Sequence, residues 1–257
     1  MTGLATNRTD TSMPHFPRIL PFGDSGVTIE FGKGIDPAIH KRVLACMAAL
    51  EREPFPGQIE IVPAYQSVTV YFDPVKTDTE SLGAVLSRAA TRSMHGPSRR
   101  FKTVTVPVFY DPAVGPDLET VSAKARLPIE AVIALHTSVT YRVYMLGFAP
   151  GFPYLGLVPK RIAVPRLPTP RKLVPAGSVG IAGNQTGIYP RDSPGGWRII
   201  GRTPVRICDL YASEPFLLNT GDEVRFVAID RHEVDVHLEQ YRTRSVRRQR
   251  RESDAGF

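Results

Sequence analysis

The sequence predicts a two-domain α+β protein, and three features carry that prediction. Residues 16–96 follow the order strand, helix, strand, strand, helix, which is typical of a small α+β sandwich. The pattern breaks over 93–98 and resumes with the alternating segment FKTVTVPVFY at 101–110, which indicates a new sheet. The stretch 144–204 is then dense in glycine, proline and aromatic residues, as expected of rigid turns that join short strands. We therefore assign 97–241 to a second domain.

The composition limits which kind of protein this chain can be. The 257-residue chain is 42% hydrophobic, which is enough for a core of normal size. It has no apolar run that could span a bilayer and no signal-peptide core, so we expect a soluble, cytoplasmic protein without a membrane partner. Much of the net charge of +7 lies in the tail 242–257, where six arginines accompany two acidic residues. The tail and residues 1–15 are polar, and we expect both ends to be disordered.

The first domain opens with two short strand pieces on either side of a Gly-Asp-Ser-Gly turn at 23–26. Asp36 followed by Pro37 predicts a helix cap and a first-turn proline. Apolar residues then recur at helical spacing, at Ile39, Val43, Met47 and Leu50.

After a breaker at 54–57, two strand patterns are predicted, and in the second Val68, Val70 and Phe72 share one face. Thr77 and Glu80 then fit a capping box. The helix that follows carries apolar residues at Leu82, Val85, Leu86 and Ala89.

The second domain opens with a strand and two short helices hinged at 126–128. Such a pair invites comparison with a helix-turn-helix motif. The second helix, 129–136, is mostly apolar and has no Arg, Lys, Asn or Gln to contact base edges. We therefore expect it to pack on the sheet and expect no nucleic-acid partner. A strand at 141–145 leads into the stretch 144–204.

Polar residues between the turns of 144–204 mark this stretch as the binding surface. Arg166 and Arg171 can bind carboxylate or phosphate through two parallel hydrogen bonds, and Gln185 and Tyr189 can pair with amide edges. His136, just upstream, is a candidate for proton transfer. The candidate site residues of this region are His136, Tyr154, Arg166, Arg171, Gly177, Ser178, Gln185, Tyr189 and Arg202.

Several common site types are excluded by their motifs. The chain has neither a Walker loop nor a G-x-G-x-x-G segment, and no H-E-x-x-H or CxxC pattern, so no metal site is predicted. Ser178 lies in AGSVG, which lacks the first glycine of a hydrolase nucleophile elbow and leads into a strand pattern, so it is not expected to be a nucleophile. Cys46 and Cys208 are isolated and are predicted to be buried thiols.

Four long phrases resemble the carboxyltransferase C/D-domain family. They are GFAPGFPYLG (147–156), TPR (169–171), VPAGSVGIAGNQTGIYP (174–190) and SPGGWRIIGRTP (193–204). GDSGVTIEFG (23–32) and VPAYQSVTVYFDP (62–74) resemble the first-domain phrases of the same family. The resemblance covers residues 18–241 and omits both ends.

This resemblance implies a cyclophilin-like β-barrel as the second domain. It also implies a module completed by two partners, a C-type subunit with a carboxyltransferase A/B domain and an A-type subunit. The family includes the B subunits of 5-oxoprolinases, for which it implies ATP-dependent opening of 5-oxoproline to glutamate. ATP, with Mg²⁺, would be supplied or shared at the level of the complex, and this chain would be inactive alone.

Under this resemblance Arg171, with Arg166 or Arg202, would stabilise the charge of phosphoryl transfer, and His136 or Tyr189 would handle a proton. The resemblance thus implies His136, Arg171 and Tyr189 as catalytic residues. The implied substrate-binding residues are Tyr154, Arg166, Gly177, Ser178, Gln185 and Arg202. Two alternatives remain open. One is the family's urea-metabolism branch, as allophanate hydrolase subunit 1 or a urea carboxylase-type carboxyltransferase component. The other is a KipI-like inhibitor of a histidine kinase. Chemistry is not determined by the fold, so the three interpretations are ranked in that order.

Overall fold

The computed structural model describes residues 16–92 and 101–239. The ends predicted to be disordered, 1–15 and 242–257, lie outside the described residues. Contacts divide the chain into two compact units, Met1–Ser98 and Arg99–Phe257. Among the described helices, none is both long enough and apolar enough to cross a membrane.

The first unit contains a four-stranded antiparallel sheet in the order β1-β2-β4-β3. Helix α1 packs on β3 and β4, and helix α2 packs on α1. The elements are β1 (Arg18–Pro21), β2 (Gly26–Glu30), α1 (Pro37–Arg52), β3 (Gln58–Pro63), β4 (Ser67–Phe72) and α2 (Thr79–Arg92). These bounds confirm the predicted order of strands and helices in this unit.

The residues that specify this unit act as predicted. The side chain of Asp36 caps α1 by accepting the backbone N–H of Ala38 at 2.6 Å. Val68, Val70 and Phe72 alternate with half-buried positions along β4 and are themselves buried in the core that α1 and α2 cover. Burying one face of the sheet in this way fixes its register, since a slip of one residue would move all three side chains to the other face.

The predicted capping box at Thr77 is wrong. Helix α2 begins at Thr79, and the backbone N–H of Leu82 donates to the carbonyl of Asp78. The hydroxyl of Thr77 instead donates to the carbonyl of Pro56 at 2.8 Å. Thr77 is buried, so its hydroxyl ties the loop before β3 to the loop before α2.

The two cysteines differ in their surroundings. Cys46 lies fully buried on α1, as predicted, and burial raises the pKa of its thiol to about 12. Cys208 is only partly buried, so the prediction of a second buried thiol is wrong. It forms an isolated bridge with Phe216 rather than lying in a regular strand.

The second unit is built around a closed seven-stranded barrel in the order β10-β7-β6-β13-β5-β12-β9. Strands β8 and β11 form a separate two-stranded sheet, and a helix follows at 231–239. The elements are β5 (Thr103–Phe109), α3 (Leu118–Ala125), α4 (Ile129–Thr137), β6 (Thr140–Leu146), β7 (Pro153–Gly156), a 3₁₀ turn (Lys160–Ile162), β8 (Arg171–Val174), β9 (Ser178–Ala182), β10 (Gln185–Ile188), β11 (Ser193–Gly195), β12 (Arg198–Arg202) and β13 (Glu223–Ile229).

The barrel core holds α3 and α4 against the strands. Leu118, Val121 and Val132 of the two helices are fully buried in one cluster with Val106 and Phe226 of the barrel. This packing confirms that the helix pair covers the sheet. The first and last strands, β5 and β13, pair in parallel along their whole length.

Candidate functional site

A cavity of about 590 Å³ in the second unit contains four of the predicted site residues. We call it the aromatic pocket. Its main lining side chains are Phe148, Phe152, Tyr154, Arg166, Asn184, Gln185, Tyr189 and Trp197. This volume and the mixture of rings with a few polar groups are typical of a small-molecule site.

Neighbouring strands place the polar groups of the aromatic pocket. Antiparallel pairing of β10 with β7 sets Gly187 opposite Tyr154 and Gln185 opposite Gly156. Gly187 leaves room for the ring of Phe152, because a Cβ there would lie 2.9 Å from that ring. The pocket wall therefore depends on a strand position that only glycine fits.

A cluster of edge-to-face rings forms the apolar wall. The ring of Phe152 lies 5.0 Å from Tyr154, 5.2 Å from Tyr189 and 5.4 Å from Trp197, all in T-shaped arrangements. Such pairs stabilise by about 0.5–1.5 kcal/mol beyond the area they bury. The wall is thus formed before any ligand arrives.

Arg166 supplies the positive charge of the aromatic pocket. It is exposed and makes no hydrogen bond or ion pair with another described residue. Burial raises the pKa of both Tyr154 and Tyr189, and the charge of Arg166 opposes that rise in each. Both phenols are therefore protonated at neutral pH, so the pocket combines one cation with hydroxyl and amide groups.

Phe148 stands at the edge of the aromatic pocket in an unusual conformation. Its φ is 64°, in the left-handed region, and its side chain is 63% exposed. Its ring still contacts Phe152 and Tyr189 edge-on, at 5.6 Å and 6.4 Å. A bulky residue held at positive φ costs free energy, and such strain is concentrated at functional sites.

This strain predicts a reversed order of stability at position 148. At ordinary sites alanine is more stable than glycine by about 0.5–1 kcal/mol. At 148 we expect Phe148→Gly to be about 1 kcal/mol more stable than Phe148→Ala, because only glycine relieves the left-handed strain. Urea unfolding of both variants measures the difference. The matched pair Leu173→Gly and Leu173→Ala, at another exposed apolar residue, should keep the usual order; the usual order at 148 would show that no strain is stored there.

His136 lies in the barrel core, apart from the aromatic pocket. It is fully buried and stacks on Phe226 at 4.7 Å. The hydroxyl of Thr186 donates to the carbonyl of Gly180, so Nε2 of His136 donates to Thr186 at 2.9 Å. Nδ1 then accepts from the hydroxyl of Tyr110 at 2.7 Å. Both ring nitrogens are hydrogen-bonded within the protein, and His136 does not line the aromatic pocket.

Burial of His136 makes stability depend on pH. Desolvation lowers its pKa from 6.5 to about 3, so below pH 6.5 the unfolded chain binds a proton that the folded chain does not. Stability should therefore fall on acidification by up to about 1.4 kcal/mol per pH unit. Urea unfolding at pH 7.5, 6.5 and 5.5 should show this loss in the wild type and a smaller one in His136→Gln. The exposed His232→Gln is the control and should keep the wild-type slope; equal slopes for all three proteins would contradict the prediction.

Arg171 is held by a buried carboxylate. Its guanidinium binds Asp117 through two bonds, at 2.8 Å and 3.0 Å. The same carboxylate accepts the backbone N–H of Ile199 at 2.7 Å and lies 3.5 Å from Arg198. We call Asp117, Arg171 and Arg198 the Asp117 network. It joins the start of α3 to β8 and β12. The positive charge of Arg171 is therefore compensated by Asp117 within the protein.

The remaining predicted residues lie elsewhere in the second unit. Ser178 is buried at the start of β9. Gly177 and Arg202 line a second cavity, of about 680 Å³, which also borders Tyr189. At Gly177 φ is 80°, and a Cβ would overlap the carbonyl oxygen of Thr203, so only glycine fits this turn. The nine predicted residues are thus distributed over two cavities that share Tyr189, the Asp117 network and buried positions of the barrel.

Sequence reasoning missed four residues of this region. Phe148, Phe152 and Trp197 stand in a turn-rich stretch that does not by itself predict a pocket wall. Their signal was the repeated pairing of an aromatic residue with glycine, as in GFAPGF and GGW. Asp117 lies at a helix start, and no local pattern could reveal its distant partners. Among the described residues no group of three or more His, Cys, Asp or Glu could hold a metal ion.

Comparisons with known proteins agree on one family. The sequence model of the carboxyltransferase domain, subdomains C and D, matches residues 17–218. Relatives named as the B subunit of 5-oxoprolinase occur in three bacteria at 36%, 40% and 41% identity. The one from Bacillus subtilis is 41% identical over 233 residues, which covers 87% of this chain and 97% of the relative.

Solved structures extend this likeness to the fold. The crystal structure of TTHA0988 is 42% identical with a TM-score of 0.71, and the match covers 80% of this chain. Kluyveromyces lactis urea amidolyase, at 21% identity and a TM-score of 0.68 over 86% of this chain, shares the fold. This chain spans 40% of the length of TTHA0988 and 15% of that urea amidolyase.

Proposed function

The chain belongs to the family of the carboxyltransferase domain, subdomains C and D, and from this premise we propose that it acts as the B subunit of a 5-oxoprolinase. The observation that carries the proposal is 36–41% identity, over most of both chains, to relatives of that name. We further propose that the closed barrel is the cyclophilin-like domain implied by the sequence and that the first unit is the small sandwich before it.

The aromatic pocket is the proposed substrate site. 5-Oxoproline is a five-membered lactam that carries one carboxylate. Arg166 can pair with that carboxylate through two parallel hydrogen bonds. The Gln185 side chain and the protonated hydroxyls of Tyr154 and Tyr189 can pair with the lactam amide, while the aromatic wall contacts the ring.

In the proposed reaction these residues bind and orient the substrate. ATP, supplied or shared at the level of the complex with Mg²⁺, would provide the phosphoryl group that makes the lactam hydrolysable. The exposed Arg166 is the cation of this pocket that could offset developing negative charge. The phenol of Tyr189 is neutral and can therefore donate a hydrogen bond or a proton. His136 and Arg171 are left out of this role, since both are engaged within the protein.

Activity is proposed to require two further kinds of protein, a C-type partner with a carboxyltransferase A/B domain and an A-type partner. The test is ATP-dependent release of glutamate from 5-oxoproline by this chain alone and in a mixture with both partners. We expect glutamate only in the full mixture. A mixture that co-elutes as a stable complex yet releases no glutamate would overturn the proposal.

A second function is suggested by a relative named urea amidolyase, from Saccharomyces cerevisiae, which is 26% identical over 242 residues. In that case the chain would be a carboxyltransferase component acting on a urea derivative. The glutamate assay distinguishes the two. The second function predicts no glutamate from 5-oxoproline, and turnover of a urea derivative only when a biotin-bearing partner is added to this chain.

A further inference from the structure

The second cavity of the barrel unit is lined by arginines and lies outside the proposed site for 5-oxoproline. It measures about 680 Å³ and lies between the segment that follows β12 and the helix at 231–239. Four arginines and one acidic residue line it, namely Arg191, Arg202, Arg206, Arg231 and Asp235. We call it the arginine cleft.

The charge of the arginine cleft is poorly compensated. Arg206 lies 3.8 Å from Asp209, in an exposed pair that contributes little. Arg191 and Arg231 form no ion pair with any residue that the structure describes. Like charges around one cavity repel each other, and a bound anion would remove that cost.

Arg202 is held by a hydrogen bond to a neutral acceptor, which does not compensate its positive charge. Its Nε donates to the carbonyl of Ala176 at 2.9 Å, and that acceptor is neutral. The nearby carboxylate of Asp192 accepts the backbone N–H of Ala176 at 2.8 Å. Hydrogen bonds thus fix both the N–H and the carbonyl of Ala176. Through that carbonyl they hold the guanidinium of Arg202 at the cleft before a ligand binds.

Much of the remaining lining of the cleft is apolar. Phe109, Val205, Ile207, Val234 and Leu238 contribute to its lining. Walls of low dielectric strengthen the field of the arginines, and the volume suits a small molecule with an organic body. Several guanidinium groups can each bind a different oxygen of a phosphate or polyphosphate, whereas one carboxylate has only two oxygens to share.

We propose that the arginine cleft binds the phosphate groups of a small organic ligand, whose body packs against the apolar wall and the helix at 231–239. This inference concerns a different cavity from the aromatic pocket and does not depend on which lactam or amide the complex hydrolyses. It also identifies Arg202 and Gly177 as parts of an anion site and not of the substrate pocket.

The test is isothermal titration of the purified full chain with ADP and, separately, with pyrophosphate at low salt. We expect both to bind, with ADP the tighter because it also buries an organic body. The double variant Arg191→Gln/Arg231→Gln should weaken the binding of both probes by at least about 10-fold, since it removes two charged hydrogen-bond donors to the anion. Both residues are exposed, so the variant should fold, which its thermal melt checks.

Arg161→Gln serves as the matched control, because Arg161 is an exposed arginine of the same unit outside both cavities. It should bind both probes as the wild type does. The proposal is overturned if the wild type binds neither probe, if the double variant binds as tightly as the wild type, or if Arg161→Gln loses as much affinity as the double variant. None of these results bears on glutamate release by the complex, so this inference and the proposed function can fail separately.

Discussion

Replacing Asp117 by asparagine is expected to lower the free energy of unfolding by about 3–5 kcal/mol, the cost of breaking a buried ion pair by removing one partner. The carboxylate is buried and serves Arg171, Arg198 and the backbone N–H of Ile199 at once. Asparagine cannot accept from all three groups and carries no charge. The guanidinium groups of Arg171 and Arg198 would then be largely buried without a negative charge beside them.

Urea unfolding at neutral pH measures this loss, with Glu119→Gln as the control. Glu119 is an exposed acidic residue in the first turn of the same helix, so its change should alter stability by no more than about 0.5 kcal/mol. Similar small losses in both variants would show that the Asp117 network does not join α3 to β8 and β12. A large loss in Asp117→Asn alone would confirm that the Asp117 network stabilises the fold, which is a role for Arg171 that needs no part in catalysis.

Replacing Arg166 by alanine is expected to reduce kcat/KM for 5-oxoproline about 100-fold in the assembled complex, which corresponds to a lost charged hydrogen bond of about 1.5–3 kcal/mol. Stability should hardly change, because Arg166 is exposed and has no ion pair among the described residues. Glutamate release by the wild-type and variant complexes measures the effect. Arg161→Ala, in the 3₁₀ turn of the same unit, is the matched control and should keep wild-type activity.

Binding can be followed without turnover, because the chain has a single tryptophan, Trp197, in the wall of the aromatic pocket. 5-Oxoproline should change its fluorescence in the wild type and require roughly 100-fold more ligand to do so in Arg166→Ala. If Arg166→Ala keeps both the activity and the fluorescence response, the carboxylate is bound elsewhere. If the response is lost equally in Arg161→Ala, the effect is one of net charge and not of the pocket.

The elements that sequence predicted correctly are those in which local pattern and burial agree. Strand β4 alternates Val68, Val70 and Phe72, and Asp36 caps α1, because each needs only neighbours along the chain. The prediction at Thr77 was wrong because Thr77 and Asp78 are adjacent and both could cap the helix. The hydroxyl of Thr77 donates instead to the carbonyl of Pro56, elsewhere in the unit. That choice depends on tertiary contact, which a local motif does not contain.

The candidate site was predictable in part for the same reason. Tyr154, Arg166, Gln185 and Tyr189 belong to one turn-rich stretch, and they do line one pocket. His136 and Arg171 were chosen for their chemistry, but their availability depends on Tyr110, Thr186 and Asp117, which are distant in sequence. The sequence showed which side chains have suitable chemistry. Only the fold showed which of them are already hydrogen-bonded within the protein.

The parallel pairing of β13 with β5 has a practical consequence for fragments of this protein. The family match ends at residue 218, before β13 begins at Glu223. A fragment trimmed at that point would lack the strand that joins β5 to β6 and would expose two open edges, which are sites for aggregation. During synthesis, too, the barrel cannot close until β13 has left the ribosome, whereas the first unit can fold while the second is still being made.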